Sequence, residues 1–168
     1  MKLISAALLY LLPSGAFAHD YTVGDVKIDH PVARATTETA RTSAGYFRIE
    51  NIGSEDDALV GVEADFPRVE MHTTEVDGDG VASMRRIMSI PLPAGEMITF
   101  ERGGLHVMFV GLSEPFLEGE TVPAALIFEK AGRVEIEFNI EKIDGHGHMN
   151  HDEMDHGEKE DDHSNHDH

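Results

Sequence analysis

Two residues that bind soft metal ions stand one residue apart in the stretch GGLHVMFVGL, residues 103–112. The stretch has the composition of a β-strand, in which successive side chains point to opposite faces. The apolar residues on either side of His106 and Met108 then share the face toward the core. His106 and Met108 share the other face. An imidazole and a thioether side by side are a candidate pair of metal ligands.

A second stretch, VEMHTT, places His72 off the core face in the same way, while Met71 points inward as a core residue. Met84 lies between the two stretches, just after an Asp/Gly-rich turn. Together, His72, Met84, His106 and Met108 supply two imidazoles and two thioethers. Thioether donors select Cu(I), and imidazole suits copper generally. The set favours a Cu(I) site; the alternative is that each histidine is a surface or hydrogen-bonded residue and each methionine a core residue.

The chain contains no cysteine. This excludes a disulfide framework, a thiolate nucleophile, a Cys-ligated zinc site and a blue-copper site. Methionine is therefore the only sulfur ligand available. We predict that the protein is not an enzyme, because the sequence has no evident Ser/His/Asp set and because four protein ligands would leave a metal no open position.

The elements that must position these residues are β-strands. Turn signals such as DGDG, PLPAG and EKAG separate short segments of alternating hydrophobicity, and no long apolar helix period is present. This predicts an all-β fold, an antiparallel sandwich or barrel, over residues 19–143. The candidate strands are Gly24–His30, Ala44–Asn51, Ala58–Glu63, Val69–Thr74, Ile98–Glu101, Leu105–Val110, Ala124–Phe128 and Val134–Ile140.

The first eighteen residues, MKLISAALLYLLPSGAFA, have a lone lysine, an apolar run and a small-x-small ending. This is the pattern of a secretory signal peptide cleaved after Ala18, and the run is short for a membrane span. The alternative is an uncleaved anchor. Cleavage would make His19 the mature N-terminus, whose amine and imidazole could chelate Cu(II). The formal charge of −19 disfavours nucleic acid and anionic membranes as partners.

The C-terminal residues 144–168 differ in composition from the rest of the chain. They include seven of the eleven histidines, two methionines, nine acidic residues and one lysine. We predict a disordered tail that binds metal, Cu(II) above all, because imidazoles beside carboxylates suit that ion. The alternative is a solvated acidic tail that keeps the protein soluble. The candidate tail ligands are His146, His148, Met149, His151, Met154, His156, His163, His166 and His168.

The sequence resembles the PCu(A)C family of exported copper chaperones. The family pattern is a histidine, about ten residues, a methionine, twenty-one residues and then His-x-Met. Here eleven residues separate His72 from Met84, and twenty-one separate Met84 from His106, with Met108 closing the pattern. The phrases HPVARAT, AGYFRIEN, PAGEMITFERGGLHVMFVGL and EGETVPAALIFE also match, so the resemblance covers nearly all of residues 19–141.

The resemblance implies a cupredoxin-like β-sandwich that binds Cu(I) through His72, Met84, His106 and Met108. It also implies a periplasmic protein that delivers copper to the copper A centre of cytochrome c oxidase, alone or alongside a Sco-type thiol protein. A rival reading is a periplasmic metal buffer without a dedicated acceptor. Electron transfer is a further alternative, but Cu(I) held by soft neutral ligands should resist oxidation.

Overall fold

A computed structural model describes residues 20–142, which form eleven β-strands and no helix. The strands are β1 (Tyr21–Val23), β2 (Val26–Arg34), β3 (Thr42–Asn51), β4 (Asp57–Ala64), β5 (Arg68–Val76), β6 (Ala82–Ile87), β7 (Ile90–Leu92), β8 (Met97–Phe100), β9 (Leu105–Val110), β10 (Thr121–Phe128) and β11 (Arg133–Glu141). The prediction of an all-β fold is confirmed.

The strands join into one sheet in the order β6-β5-β9-β8-β3-β2-β11-β10-β4-β7, with β1 paired to β2. This sheet curls into a nearly closed barrel. Most neighbours are antiparallel, as expected, but β11 runs parallel to β2 and β8 runs parallel to β9. β2 and β11 come from opposite ends of the described chain, whereas β8 and β9 share a single parallel bridge, between Phe100 and Leu105, across the short segment 101–104.

The core lies inside the barrel and is built on phenylalanine side chains. Phe109 of β9 contacts Phe138 of β11 edge to face, with ring centroids 5.4 Å apart. Gly45 of β3 lies directly against this pair: a Cβ atom there would be 2.9 Å from Phe138 Cε1 and 3.0 Å from Phe109 Cε2. Only glycine lets β3 approach so closely, so the packing of β9 depends on this position.

The candidate strands are all present, with boundaries that differ by a few residues. The alternation in VEIEF gives β11 its buried Val134, Ile136 and Phe138, and β11 pairs with β10 in an antiparallel hairpin across the EKAG turn. Three strands were not predicted. β1 and β7 have only three residues each, too few for an alternation to stand out in the sequence. β6 is exposed along most of its length and shows no buried alternation.

The predicted signal peptide, His19 and the tail at 144–168 lie outside the described residues. Within the described range, no helix is long and apolar enough to cross a membrane.

Candidate metal centre

The four candidate core ligands lie on one face of three adjacent strands. His72 of β5 stands directly opposite His106 of β9 in the antiparallel pairing. Met108 follows two residues later on β9, opposite Glu70. On the other side of β5, Met84 of β6 stands opposite Thr74. Because residues two apart on a strand share a face, the pairing gathers all four side chains on the outer face of β6-β5-β9.

The opposite face of the same strands belongs to the core. Met71, Val107 and Phe109 are almost fully buried there. The prediction that Met71 is a core residue, and that His106 and Met108 lie together on the other side, is confirmed. Met88 and Met97, which match no ligand position in the family pattern, are exposed.

Exposure changes steeply across the outer face. His106 retains 6 % of its accessible surface, whereas Met84 retains 58 %. The side chain of His72 is 14 % exposed, and Met108 is of intermediate burial. The β9 side of the face is therefore enclosed, and the β6 side is open to solvent.

His106 is oriented by a backbone carbonyl. Its Nδ1 lies 3.1 Å from the oxygen of Gly104. A carbonyl oxygen only accepts, so Nδ1 carries the proton and donates it. In the neutral ring Nε2 then has the lone pair, and Nε2 is the atom available to a metal ion.

His72 has the opposite arrangement. Its Nε2 lies 3.0 Å from Oε2 of Glu70, so Nε2–H donates to the carboxylate. Its Nδ1 is buried and has no hydrogen-bond partner among the described residues. Buried polar atoms are normally paired, because leaving one unpaired costs free energy. The unpaired nitrogen is therefore a feature that a ligand would explain.

Glu70 is a part of this face that the sequence did not mark as functional. Its other oxygen, Oε1, lies 3.3 Å from Nη1 of Arg86 and 3.8 Å from Nε of Arg68. The hydrogen bond from His72 holds the pKa of Glu70 below its usual value, with further lowering from the charges of Arg86 and Arg68 against the opposing effect of burial. The one available signal was its spacing, since Glu70 and His72 fall on the same face.

The two imidazole rings lie at a separation that one metal ion can bridge. Their centroids are 5.8 Å apart and their planes are tilted by 57°. A nitrogen–metal bond of about 2.0–2.1 Å, as for zinc, puts each ring centroid about 3.2 Å from the ion, so two bound rings are at most about 6.4 Å apart. Within residues 20–142, no group of three His, Asp or Glu side chains forms a metal site by itself. The candidate centre consists of two imidazoles and the thioethers beside them.

A shallow depression adjoins this face at Met108. Its volume is about 320 Å³, and its walls include Ala35, Ala44 and Met108. The described chain ends close to it, because the amide of Ala35 donates to the carbonyl oxygen of Glu141 over 2.9 Å. Strand β11 therefore ends beside this depression.

Fold and site together define a small β-barrel protein that presents imidazole and thioether groups on one outer face. The LpqE-like family model matches residues 26–140. The copper-bound PCuAC domain from PmoF2 is 34 % identical, covers 74 % of this chain and 98 % of its own, and superposes with a TM-score of 0.62. The chain belongs to the LpqE-like (PCuAC) family.

Two further solved structures are similar. The apo PCuAC domain from PmoF1 is 29 % identical, covers 74 % of this chain and 99 % of its own, and has a TM-score of 0.63. The solution structure of CuI-DR1885 from Deinococcus radiodurans is 25 % identical, covers 76 % of this chain and 84 % of its own, and has a TM-score of 0.53. No curated protein matches the chain.

Proposed function

We propose that the protein is an exported copper chaperone that binds one Cu(I) ion through His72, Met84, His106 and Met108. The observation that carries the proposal is the direct opposition of His72 and His106, with a buried Nδ1 of His72 that has no hydrogen-bond partner within residues 20–142. Two thioethers lie on the same face. Cu(I) is the ion that a set of neutral imidazole and thioether donors suits best.

The relatives support copper as the metal. One solved relative is a copper-bound PCuAC domain, and another is the CuI form of DR1885. The tetrahedral preference of Cu(I) is compatible with four donors from three adjacent strands. Zinc, calcium and magnesium have little use for thioether ligands.

The exposure of the site supports a carrier rather than a store. Met84 lies on an edge strand and is 58 % exposed, so a ligand from an acceptor protein can reach the ion before His106 releases it. Thioether and imidazole are weaker ligands for copper than thiolate, so transfer to a cysteine-containing acceptor runs downhill. We propose the copper A subunit of cytochrome c oxidase as acceptor, with a Sco-type thiol protein as a second partner.

The proposed location is the periplasm. Residues 1–18 would direct export and be cleaved after Ala18, leaving the mature domain at 19–143. Removing the signal takes one lysine and no acid, which changes the formal charge from −19 to −20. Such a surface attracts cations and repels nucleic acid.

The tail at 144–168 would capture Cu(II) and concentrate copper near the core site. His146 lies five residues beyond Glu141, so it can reach about 17 Å from the last strand. The end of that strand adjoins the depression at Met108. Tethering raises the effective concentration of tail-bound copper at the core without any new contact.

The second candidate function is a metal buffer, in which the tail does most of the binding. The observation that favours it is the tail composition, seven histidines in residues 144–168. A buffer predicts several weak sites and no directed transfer to a copper A domain.

The test is copper stoichiometry and affinity on the mature protein, a variant lacking residues 145–168 and a Met84→Ala/Met108→Ala double variant. We expect one tight Cu(I) that survives tail deletion and is lost in the double variant, and extra Cu(II) that is lost with the tail. The loaded protein should then transfer copper to an isolated copper A domain. Cu(I) binding that ignores both methionines and disappears with the tail would reject the chaperone in favour of the buffer.

A further inference from the structure

We propose that Glu70 is a positioning residue that holds His72 in the Nε2–H tautomer, so that His72 binds metal through Nδ1. The two histidines of the centre would then use different nitrogens, Nδ1 of His72 and Nε2 of His106. The inference rests on the core site proposed above and specifies its donor atoms.

The contact between Glu70 and His72 fixes the direction of the hydrogen bond. Nε2 and Oε2 are 3.0 Å apart, and the two side chains are only 14 % and 12 % exposed. Arg86 and Arg68 approach the other carboxylate oxygen at 3.3 and 3.8 Å. An ionised carboxylate held between two guanidinium groups accepts hydrogen bonds and donates none. The proton of the bond therefore belongs to Nε2 of His72.

The buried state of Nδ1 is the second, independent observation. If the proton were on Nδ1, a buried donor would have no acceptor, and the Nε2 lone pair would face a carboxylate oxygen. Both contacts are unfavourable. With the proton on Nε2, Nδ1 presents a lone pair that nothing among the described residues uses. A metal ion is the ligand that a buried neutral imidazole lone pair suits.

The contrast with His106 shows that the two rings are fixed by separate partners. The carbonyl oxygen of Gly104 accepts a hydrogen bond from Nδ1–H of His106, and the carboxylate of Glu70 accepts one from Nε2–H of His72. Partners of this kind orient ligand imidazoles and raise their basicity. Glu70 therefore orients the imidazole of His72, and the backbone carbonyl of Gly104 orients that of His106.

The experiment compares the mature chain with Glu70→Leu, which removes the acceptor, and with Glu70→Gln, which keeps an acceptor oxygen but not the charge. Glu75→Gln is the matched control, because Glu75 is on the same strand, is paired with Arg85, and points to the other face. Long-range ¹H–¹⁵N NMR spectra of the copper-free protein report the tautomer of His72 at about pH 8, above the ordinary imidazole pKa. Competition titration reports Cu(I) affinity, and thermal unfolding reports folding.

We expect His72 to be the Nε2–H tautomer in the unmodified chain and in Glu75→Gln, and a mixture in Glu70→Leu. Cu(I) affinity should fall by about 10–100-fold in Glu70→Leu and by less in Glu70→Gln. A His72 that is Nδ1–H in the unmodified chain overturns the proposal. So does a Glu70→Leu variant that stays folded and keeps its Cu(I) affinity within twofold. The tautomer is read without metal, so absence of any Cu(I) binding would reject the proposed function separately.

Discussion

Strands β9 and β6 both contribute to the candidate centre, but their surroundings differ. β9 lies inside the sheet and pairs with β5, β3 and β8. Its His106 is 6 % exposed. β6 is at the edge of the sheet order and pairs, among the described strands, with β5 alone. Its Met84 is 58 % exposed.

In the proposed copper carrier, this difference would divide the work between two strands. The β9 ligands are held by the core packing behind them, so they can impose a geometry on the ion. In the proposed site, the exposed thioether on β6 would lose little packing when it releases the ion, so a partner would replace it first. A site made only of ligands held by core packing, as on β9, would bind copper tightly and release it slowly.

The largest effect should come from removing the buried ligand. We expect His106→Gln to lower Cu(I) affinity by roughly 100-fold or more, because it removes an oriented imidazole donor from the enclosed side of the centre. Competition titration measures the loss. The matched control is His30→Gln, since His30 lies on β2 with a side chain that is 66 % exposed. Equal losses in both variants would contradict a specific role for His106.

The packing behind β9 can be tested without touching a ligand. We expect Gly45→Ala to lower the free energy of unfolding by about 1–3 kcal/mol, because its new methyl group would overlap Phe138 and Phe109. Urea unfolding measures the change. Gly78→Ala is the control, since a Cβ there would meet nothing within 4 Å. If the Gly45→Ala and Gly78→Ala proteins are equally stable, β9 is not held by this contact.

The open side of the centre should give a smaller and different effect. We expect Met84→Ala to weaken Cu(I) binding about tenfold, near 1.4 kcal/mol, with most of the change in the release rate. Stability should stay within about 0.5 kcal/mol, because the side chain is exposed. Stopped-flow transfer to a chelator measures release. Met88→Ala, at a similarly exposed methionine just after the end of β6, should leave affinity and release unchanged.

The smallest effect concerns a contact away from the candidate ligands. Asp57 at the start of β4 accepts hydrogen bonds from the backbone amides of Ala58, Lys130 and Ala131. Burial alone would raise its pKa, but these amides together hold the pKa below its ordinary value. A carboxyl whose pKa is lowered by folding adds stability above its unfolded pKa, and this is lost as the pH falls through the folded pKa.

We therefore expect Asp57→Asn to cost about 1 kcal/mol of folding stability at neutral pH. The cost should shrink below about pH 4 and vanish once Asp57 is protonated. Chemical unfolding as a function of pH measures it, and Asp65→Asn, at an exposed carboxylate, is the control. Cu(I) affinity should not change in Asp57→Asn. A loss of affinity comparable to that of Met84→Ala would show that the Asp57 contact and the candidate centre are coupled, and would contradict their independence.

The sequence predicted the β9 side of the centre better than the β6 side. Alternation alone placed His106 and Met108 on one face and Met71 in the core. It missed β6, because that edge strand buries almost nothing and is held in the sheet by pairing with β5. Register is a property of two strands, so the opposition of His72 and His106 could not be predicted from either stretch by itself.

The hydrogen-bond partners of the two imidazoles also could not be predicted from the sequence. Glu70 could be placed on the face of His72, but its hydrogen bond, its two arginine neighbours and the unpaired Nδ1 depend on side-chain geometry. Residue types and spacing supplied the candidate ligands and the family resemblance supported them, whereas only the structure indicates which nitrogen of each ring is available.

The central claim is that two imidazoles and two thioethers hold one Cu(I). X-ray absorption at the copper edge tests it most directly, on the mature protein loaded with one equivalent of Cu(I). We expect a first shell of two nitrogen and two sulfur scatterers, with one sulfur lost in Met84→Ala. A shell of nitrogen and oxygen alone, unchanged by that substitution, would contradict the claim.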